Sequence, residues 1–219
     1  MKLAIFIAII VFLKYLVPRL VDFGAPQKTT PKTEWDYRVR FAKLNKEIFD
    51  NANPEEREEI LYYYTQKLRK ADNYSDASYK NMPKPLQIVF LINELEMEVN
   101  NGGYLQFFTN SSGRYVDETL EALDLIGATH NYQLLLNAVE TLFKHNESTE
   151  NLNKRISSKT LHKIIDVSEF YGNSELQNAL NKLDQEFFKY KENLSKLKME
   201  YFEKNKEQLW SELKENIRE

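Results

Sequence analysis

Apolar residues recur at intervals of three and four along most of the chain after Glu34, which is the period of an α-helix that buries one face. In the clearest stretch they fall at Ile88, Ile92, Leu95 and Val99. No stretch alternates apolar and polar residues convincingly, as a half-buried strand does. The pattern therefore predicts an all-α fold, with a single helical bundle over residues 34–219.

Cap and turn residues predict where several helices begin and end. Asn53 followed by Pro54 is typical of a helix start, with asparagine as the N-cap and proline at the first helical position. Residues 72–85 are rich in asparagine and proline, so we expect a connecting loop there. Gly127 is expected to end one helix, because glycine readily takes the left-handed conformation of a C-cap. Asn131 is expected to cap the next helix, whose apolar stripe is Leu135, Ala138, Leu142 and Phe143.

A heptad-like seam marks the C-terminal part of the chain. Its apolar residues alternate steps of four and three, at Leu183, Phe187, Tyr190, Leu194, Leu197 and Tyr201. We expect one long helix lying across the bundle. A dimerising zipper is the alternative, so a homodimer is possible.

The N-terminal segment has a different composition. Eleven unbroken apolar residues, Leu3 to Leu13, precede Lys14, and residues 3–21 approach the roughly 20 residues that cross a membrane. We therefore expect residues 1–23 to form a membrane anchor or uncleaved signal. Residues 24–33, with two prolines and a glycine, are expected to be a linker.

The basic residues near this span predict its orientation. Most of them lie on its C-terminal side, and by the positive-inside rule that side is cytoplasmic. A cleaved secretory signal is the alternative, although no small-residue cleavage pattern follows the apolar run. In that case the chain would be exported.

Charge and composition exclude several kinds of site. The chain lacks cysteine, which rules out disulfides, thiolate metal sites and a cysteine nucleophile. The net charge is −3, and residues 91–125 hold seven acidic residues against one basic residue. Direct nucleic-acid binding is therefore not expected. The three histidines are isolated, and phosphate-binding, dinucleotide-binding and hydrolase motifs are missing. We expect no enzyme activity, no cofactor and no metal.

Residues 88–113 are constrained beyond the needs of an amphipathic helix. Glu94 and Glu98 are four apart and therefore adjacent on a helix, whereas Glu96 points elsewhere. The glycine pair after Asn100 and Asn101 is expected to stop this helix. The other expected structural residues are the core aromatics Tyr104, Phe107 and Phe108, together with Gly102, Gly103, Gln106, Asn110, Gly113 and Gly127.

Three functions are open for this stretch beside a purely structural one. Glu94 and Glu98 could be paired acid/base or metal-binding carboxylates, although further ligands are not visible. The carboxylates could instead imitate nucleic-acid phosphates. Asn100, Gln106 and Asn110 could line a recognition pocket with the aromatics. In the structural alternative the polar residues cap helices and the aromatics fill the core.

The sequence ELEMEVNNGGYLQFFTNSSG, followed by ETLEALDLIGA, resembles the signature of the bacterial DNA mimic protein 19 family. The resemblance implies a small α-helical protein. It also implies a dimer whose acidic surface imitates DNA and occupies the DNA-binding face of a transcription factor. The acidic residues that it carries over are Glu94, Glu96, Glu98, Asp117, Glu118, Glu121 and Asp124.

The leading hypothesis from the sequence is a single-pass protein of the bacterial inner membrane. Its cytoplasmic helical domain would bind another protein of unknown identity without catalysis. One alternative is a DNA-mimic inhibitor of a DNA-binding protein. The other is an exported helical protein with a cleaved signal.

Overall fold

Eight α-helices and one 3₁₀ turn make up the residues that this computed structural model describes, 44–150 and 174–215. The α-helices are α1 Lys46–Asn51, α2 Pro54–Ala71, α3 Asp76–Lys80, α4 Lys84–Thr109, α5 Val116–Leu125, α6 Thr129–Lys144, α7 Ser174–Phe187 and α8 Leu194–Glu215. The 3₁₀ turn is Ser111–Tyr115. No strand occurs in these two ranges, so the all-α prediction is confirmed for them.

Helix α4 is the centre of the packing. It contacts α2, α5, α7, α8 and the 3₁₀ turn, and its apolar residues are buried on nearly every side. One cluster of core residues surrounds its C-terminal half and includes Leu95, Val99 and Phe107. A second cluster joins its N-terminal half to the aromatic residues Phe49, Phe202 and Trp210.

The predicted start of α2 is confirmed in detail. Asn53 accepts a hydrogen bond from the Glu56 N–H at 2.9 Å, and the Glu56 carboxylate accepts one from the Asn53 N–H. This reciprocal pair satisfies two N–H groups that the first helical turn cannot bond. The loop predicted over 72–85 is wrong in part, because Asp76–Lys80 forms a short helix capped by Ser75.

The prediction of one long C-terminal helix is wrong. Helix α7 ends at Phe187, and α8 begins at Leu194 with Asn193 accepting from the Lys196 N–H at 2.8 Å. Tyr190 lies in the turn between them with φ +46° and is 64% exposed. Phe187 and Leu194 are buried in the chain's own core, so this seam does not form a zipper. Whether the chain forms a homodimer stays a prediction.

The predicted cap of α6 is also wrong. The N-cap is Ala128, three residues earlier, so the helix begins at Thr129 and Asn131 is buried within its first turn. Phe143, assigned to the apolar stripe, is 67% exposed because it lies on the outer face near the end of the helix.

The predicted anchor, residues 1–23, and the predicted linker, residues 24–33, lie outside the described residues. Within the described part of the chain, every helix is too short or too polar to cross a membrane.

Candidate functional site

The glycine pair breaks α4 without ending it. Gly102 has φ −156° and ψ 25°, and Gly103 has φ +73° and ψ −177°, after which helical geometry resumes. The conformation of Gly103 lies outside the regions open to residues with a side chain. The predicted stop at these glycines is therefore a break of two residues, and the chain continues as a further helical segment to Thr109.

Asp184 of α7 accepts a backbone N–H that this break leaves without a helical partner. Its Oδ1 accepts a hydrogen bond from the Tyr104 N–H at 2.8 Å, an N–H group freed by the break. Burial raises the pKa of Asp184, and the hydrogen bond from Tyr104 opposes that rise. A Cβ at Gly103 would lie 2.7 Å from Asp184 Cγ, so a glycine is needed there for space as well as for conformation.

The aromatic residues after the break fill the core, as predicted. Tyr104, Phe107 and Phe108 are fully buried, and the Tyr104 ring meets Phe187 of α7 edge-on at 6.1 Å. The Tyr104 hydroxyl has no hydrogen-bond partner among the residues that the structure describes, and burial raises the pKa of Tyr104. The aromatics therefore do not line an open pocket.

Glu94 and Glu98 lie side by side on α4, as their spacing predicts, and turn toward the following segment. Glu98 Oε2 accepts hydrogen bonds from the side-chain amides of Gln106 and Asn110, each at 2.7 Å. Glu94 accepts from Gln66 of α2 at 3.1 Å. Ser112 Oγ lies 3.0 Å from Glu94 Oε2 and 3.4 Å from Glu98 Oε1. Burial raises the pKa of Glu94, against the effect of its hydrogen bonds.

The 3₁₀ turn that contains Ser112 is held from two further sides. A Cβ at Gly113 would lie 2.6 Å from the Phe108 carbonyl oxygen, so the turn packs directly on the end of α4. Arg69 of α2 is 3% exposed and donates to the Tyr115 hydroxyl at 3.2 Å. The turn therefore has a fixed position between α4 and α2, and this position sets the start of α5.

Glu96 faces a different part of the molecule, as predicted. Lys198 of α8 is fully buried, and its Nζ lies 2.6 Å from Glu58 Oε1 and 3.3 Å from Glu96 Oε2. Burial raises the pKa of Glu96 despite the ammonium group. The shorter Lys198 bond, with one from Ser195, lowers the pKa of Glu58 although burial alone would raise it.

The acidic residues of α5 are placed differently from the three glutamates of α4. Asp117, Glu121 and Asp124 are exposed, and Glu118 is partly exposed. None of the four forms a salt bridge with a residue that the structure describes. The seven acidic candidates thus fall into three groups: Glu94 with Glu98, Glu96 with Lys198, and the four on α5.

The proposed recognition set of Asn100, Gln106 and Asn110 is not brought together. Gln106 and Asn110 are bound to Glu98, whereas Asn100 accepts a hydrogen bond from the Tyr190 hydroxyl at 2.8 Å. Asn100 and Asn101 border an open groove of about 560 Å³ that Tyr62, Asn93, Glu96 and Met97 also line.

The family model described as DMP19-like protein matches residues 80–205, which is more than half of the chain. The chain belongs to the DMP19-like protein family. The resemblance noted in the sequence is thereby confirmed. No curated protein and no solved structure matches the chain.

The family match covers one part of the site and leaves out the part that α2 contributes. It includes α4, the 3₁₀ turn, α5, α6 and α7. It therefore includes the break in α4 and Asp184, which accepts the Tyr104 N–H. Gln66, Arg69 and Glu58 lie on α2, before the match begins. The matched residues therefore include a structural unit in which hydrogen bonds join the broken helix α4 to the 3₁₀ turn that leads into α5.

Sequence reasoning missed Asp184, Lys198, Arg69 and Ser112. The first two lie in a segment distant from their partners, and a single sequence carries no signal that pairs them. The contact of Ser112 with both carboxylates depends on how the 3₁₀ turn folds back. Among the described residues, no three acidic or histidine side chains lie close enough together to hold a metal ion.

Proposed function

We propose that this chain is a non-catalytic protein-binding domain that uses the acidic face of α5, namely Asp117, Glu118, Glu121 and Asp124, to bind a basic surface of another protein. The observation that carries the proposal is the lack of ion pairs at these carboxylates within the described residues. Helix α5 itself contains no lysine or arginine. Its charge is therefore available to a partner.

The spacing on α5 supports a contact along the helix. Asp117, Glu121 and Asp124 follow at intervals of four and three, so they share one face and extend over about 10 Å of helix axis. Leu125 continues this face and is 49% exposed. An apolar residue beside a row of charges suits a protein partner.

The three glutamates of α4 are poor candidates for the same contact. They are partly buried, and each accepts hydrogen bonds from side chains of the chain itself. A partner would have to displace those bonds before it could use the charge. The proposal therefore confines binding to α5.

A second candidate function is DNA mimicry, which is the activity that the family name expresses. The supporting observation is charge density. Three carboxylates that span about 10 Å of helix axis lie about 5 Å apart along it, compared with one charge per roughly 3.4 Å along a single DNA strand. The partner would then be a DNA-binding protein, contacted at the lysine and arginine residues that hold phosphates.

The test is a charge reversal with a matched control. D117K/E121K/D124K reverses the face, and E47K/E55K/E59K reverses three exposed acids on α1 and α2. In pull-downs with the full chain, the wild type and the control should retain a partner that the first variant loses. If the α5 variant retains every partner, the binding proposal fails. Loss of the partner on adding duplex DNA would favour mimicry, and DNA-insensitive binding would exclude it.

The absence of catalysis is part of the same proposal. Glu94 and Glu98 are engaged by three amide side chains and a serine, which leaves little room for a metal or a substrate. Adding Mg²⁺, Mn²⁺ or Zn²⁺ should therefore not raise the unfolding temperature. A rise that disappears in Glu94→Gln would support a metal site and contradict the proposal.

We also propose that residues 3–21 anchor the chain in the bacterial inner membrane with the helical domain in the cytoplasm. The apolar run and the basic residues after it support this placement. Cell fractionation with an alkaline carbonate wash, followed by N-terminal sequencing, is the test. An intact N-terminus in the washed membranes is expected. A soluble product beginning near residue 25 would instead mean export.

A further inference from the structure

One serine hydroxyl lies between two carboxyl groups in the turn after α4. Ser112 Oγ is 3.0 Å from Glu94 Oε2 and 3.4 Å from Glu98 Oε1, and Ser112 is 3% exposed. A hydroxyl carries one hydrogen, so it can donate to one carboxyl group only. If both carboxyl groups were ionised, one carboxylate oxygen would face the hydroxyl oxygen without a hydrogen between them.

The other hydrogen bonds indicate which carboxyl group carries the extra proton. Glu98 already accepts from the amides of Gln106 and Asn110, which stabilise its ionised form. Glu94 accepts from one amide, that of Gln66. A proton on Glu94 Oε2 completes the arrangement: Glu94 donates to Ser112 Oγ, and Ser112 donates to Glu98 Oε1.

Among the residues that the structure describes, the charged and titratable groups that interact electrostatically with Glu94 come from two helices. On α2, Arg69 favours the ionised form of Glu94. Tyr62, also on α2, lies close enough for the Glu94 charge to raise the pKa of Tyr62. On α4, the charge of Glu98 disfavours ionisation of Glu94. Burial is the largest effect, and the pKa of Glu94 is raised.

We propose that Glu94, Ser112 and Glu98 form a hydrogen-bonded chain that shares one proton, holds the 3₁₀ turn Ser111–Tyr115 against α4, and releases the turn when that proton is lost. The turn leads directly into Val116, the first residue of α5. Loss of the proton therefore loosens the N-terminal attachment of α5. The effect on partner binding rests on the proposed function, whereas the effect on the turn does not.

The direction of the pH effect follows from proton linkage. When the turn opens, Glu94 regains an ordinary pKa near 4.3, which is lower than in the closed turn. The closed turn thus binds more protons than the open one. Opening becomes easier as pH rises from the ordinary range through the raised pKa of Glu94.

Hydrogen exchange on the full chain tests the proposal. Amides of residues 111–117 are followed at pH 4.5 and pH 7.5 and corrected for intrinsic exchange. In the wild type their protection should fall several-fold at the higher pH. Glu94→Gln places an N–H donor toward Ser112 at every pH, so its protection should not change. Glu59→Gln, an exposed change on α2, should behave as the wild type. Equal pH dependence in the wild type and Glu94→Gln would overturn the proposal.

A second measurement needs no variant of Glu94. The side-chain carboxyl carbons are titrated by NMR in the full chain. Glu94 should titrate above the ordinary glutamate pKa of about 4.3, and Ser112→Ala should change the Glu94 curve. Titration of Glu94 at or below the ordinary value would overturn the proposal. Since no partner is present, these results are independent of the pull-down.

Discussion

Gly103 and Gly127 have almost the same φ, +73° and +75°, yet their surroundings differ. A Cβ at Gly103 would lie 2.7 Å from Asp184 Cγ, whereas a Cβ at Gly127 would have no atom of the described residues within 4 Å. Gly127→Ala should therefore cost about 1 kcal/mol of unfolding free energy, from conformation alone. Gly103→Ala should cost about 3 kcal/mol, because its ψ of −177° is closed to a side chain and the added Cβ would also displace the buried carboxylate.

Urea unfolding of both variants and the wild type measures this difference. Similar losses at the two glycines would mean that Asp184 moves aside freely. The hydrogen bond from the Tyr104 N–H to Asp184 would then contribute little to stability. A much larger loss at Gly103 would show that space and conformation act together there.

Residue identity alone predicted much of this local structure. The glycine pair, the buried aromatics and Gly127 were all predictable, because each depends on preferences within a few residues. The acceptor for the Tyr104 N–H was not predictable, since Asp184 is 80 residues away. The partial burial of Glu94 and Glu98 was also missed, because it depends on amide partners that come from two directions.

Helix α6 shows how one element can depend on another for its cap. Ala128 at its N-cap has no side-chain acceptor. Glu192, from the turn between α7 and α8, accepts from the His130 N–H at 2.8 Å, the Asn131 N–H at 3.0 Å and the Asn131 amide at 2.9 Å. Asn131 was predicted as the cap because its residue type fits, but in the structure it donates to the real cap.

Glu192→Ala should lower the free energy of unfolding by about 2 kcal/mol, since it removes the acceptor for two N–H groups of α6. Although burial alone would raise the pKa of Glu192, its hydrogen bonds lower it. Its contribution is thus present above the ordinary glutamate pKa and is lost as pH falls through the lowered value. Urea unfolding at pH 7 and at low pH should show the deficit shrinking with acid. Glu186→Ala, a change at a partly exposed residue of α7 whose lysine pairs lie at the surface, should have little effect at either pH. Equal losses from both variants would contradict the cap.

At the scale of the whole molecule, the helical class was predictable and the path of the chain was not. The heptad spacing across Tyr190 is the same whether one helix or two contribute to the core, so periodicity cannot reveal the turn. Asn193 was the available signal, because asparagine is a favoured N-cap. The turn matters for the site, since it lets α7 bring Asp184 to Tyr104 of α4 and α8 bring Lys198 to Glu96 of α4.

The ammonium group of Lys198, on α8, forms ion pairs with Glu58 of α2 and Glu96 of α4. Helix α2 lies outside the family match. Lys198→Met would leave Glu58 and Glu96 partly buried without their cation, which should cost about 3–5 kcal/mol. The triple variant K198M/E58Q/E96Q removes the uncompensated charges and should recover most of that loss. The deficit of Lys198→Met alone should shrink as pH falls, because both glutamates become protonated. Urea unfolding of the single and triple variants at pH 7.5 and 4.5 measures all of these differences. If the triple variant is as unstable as Lys198→Met at both pH values, the lysine contributes through packing of its alkyl chain, and charge pairing does not hold α2 to the rest of the bundle.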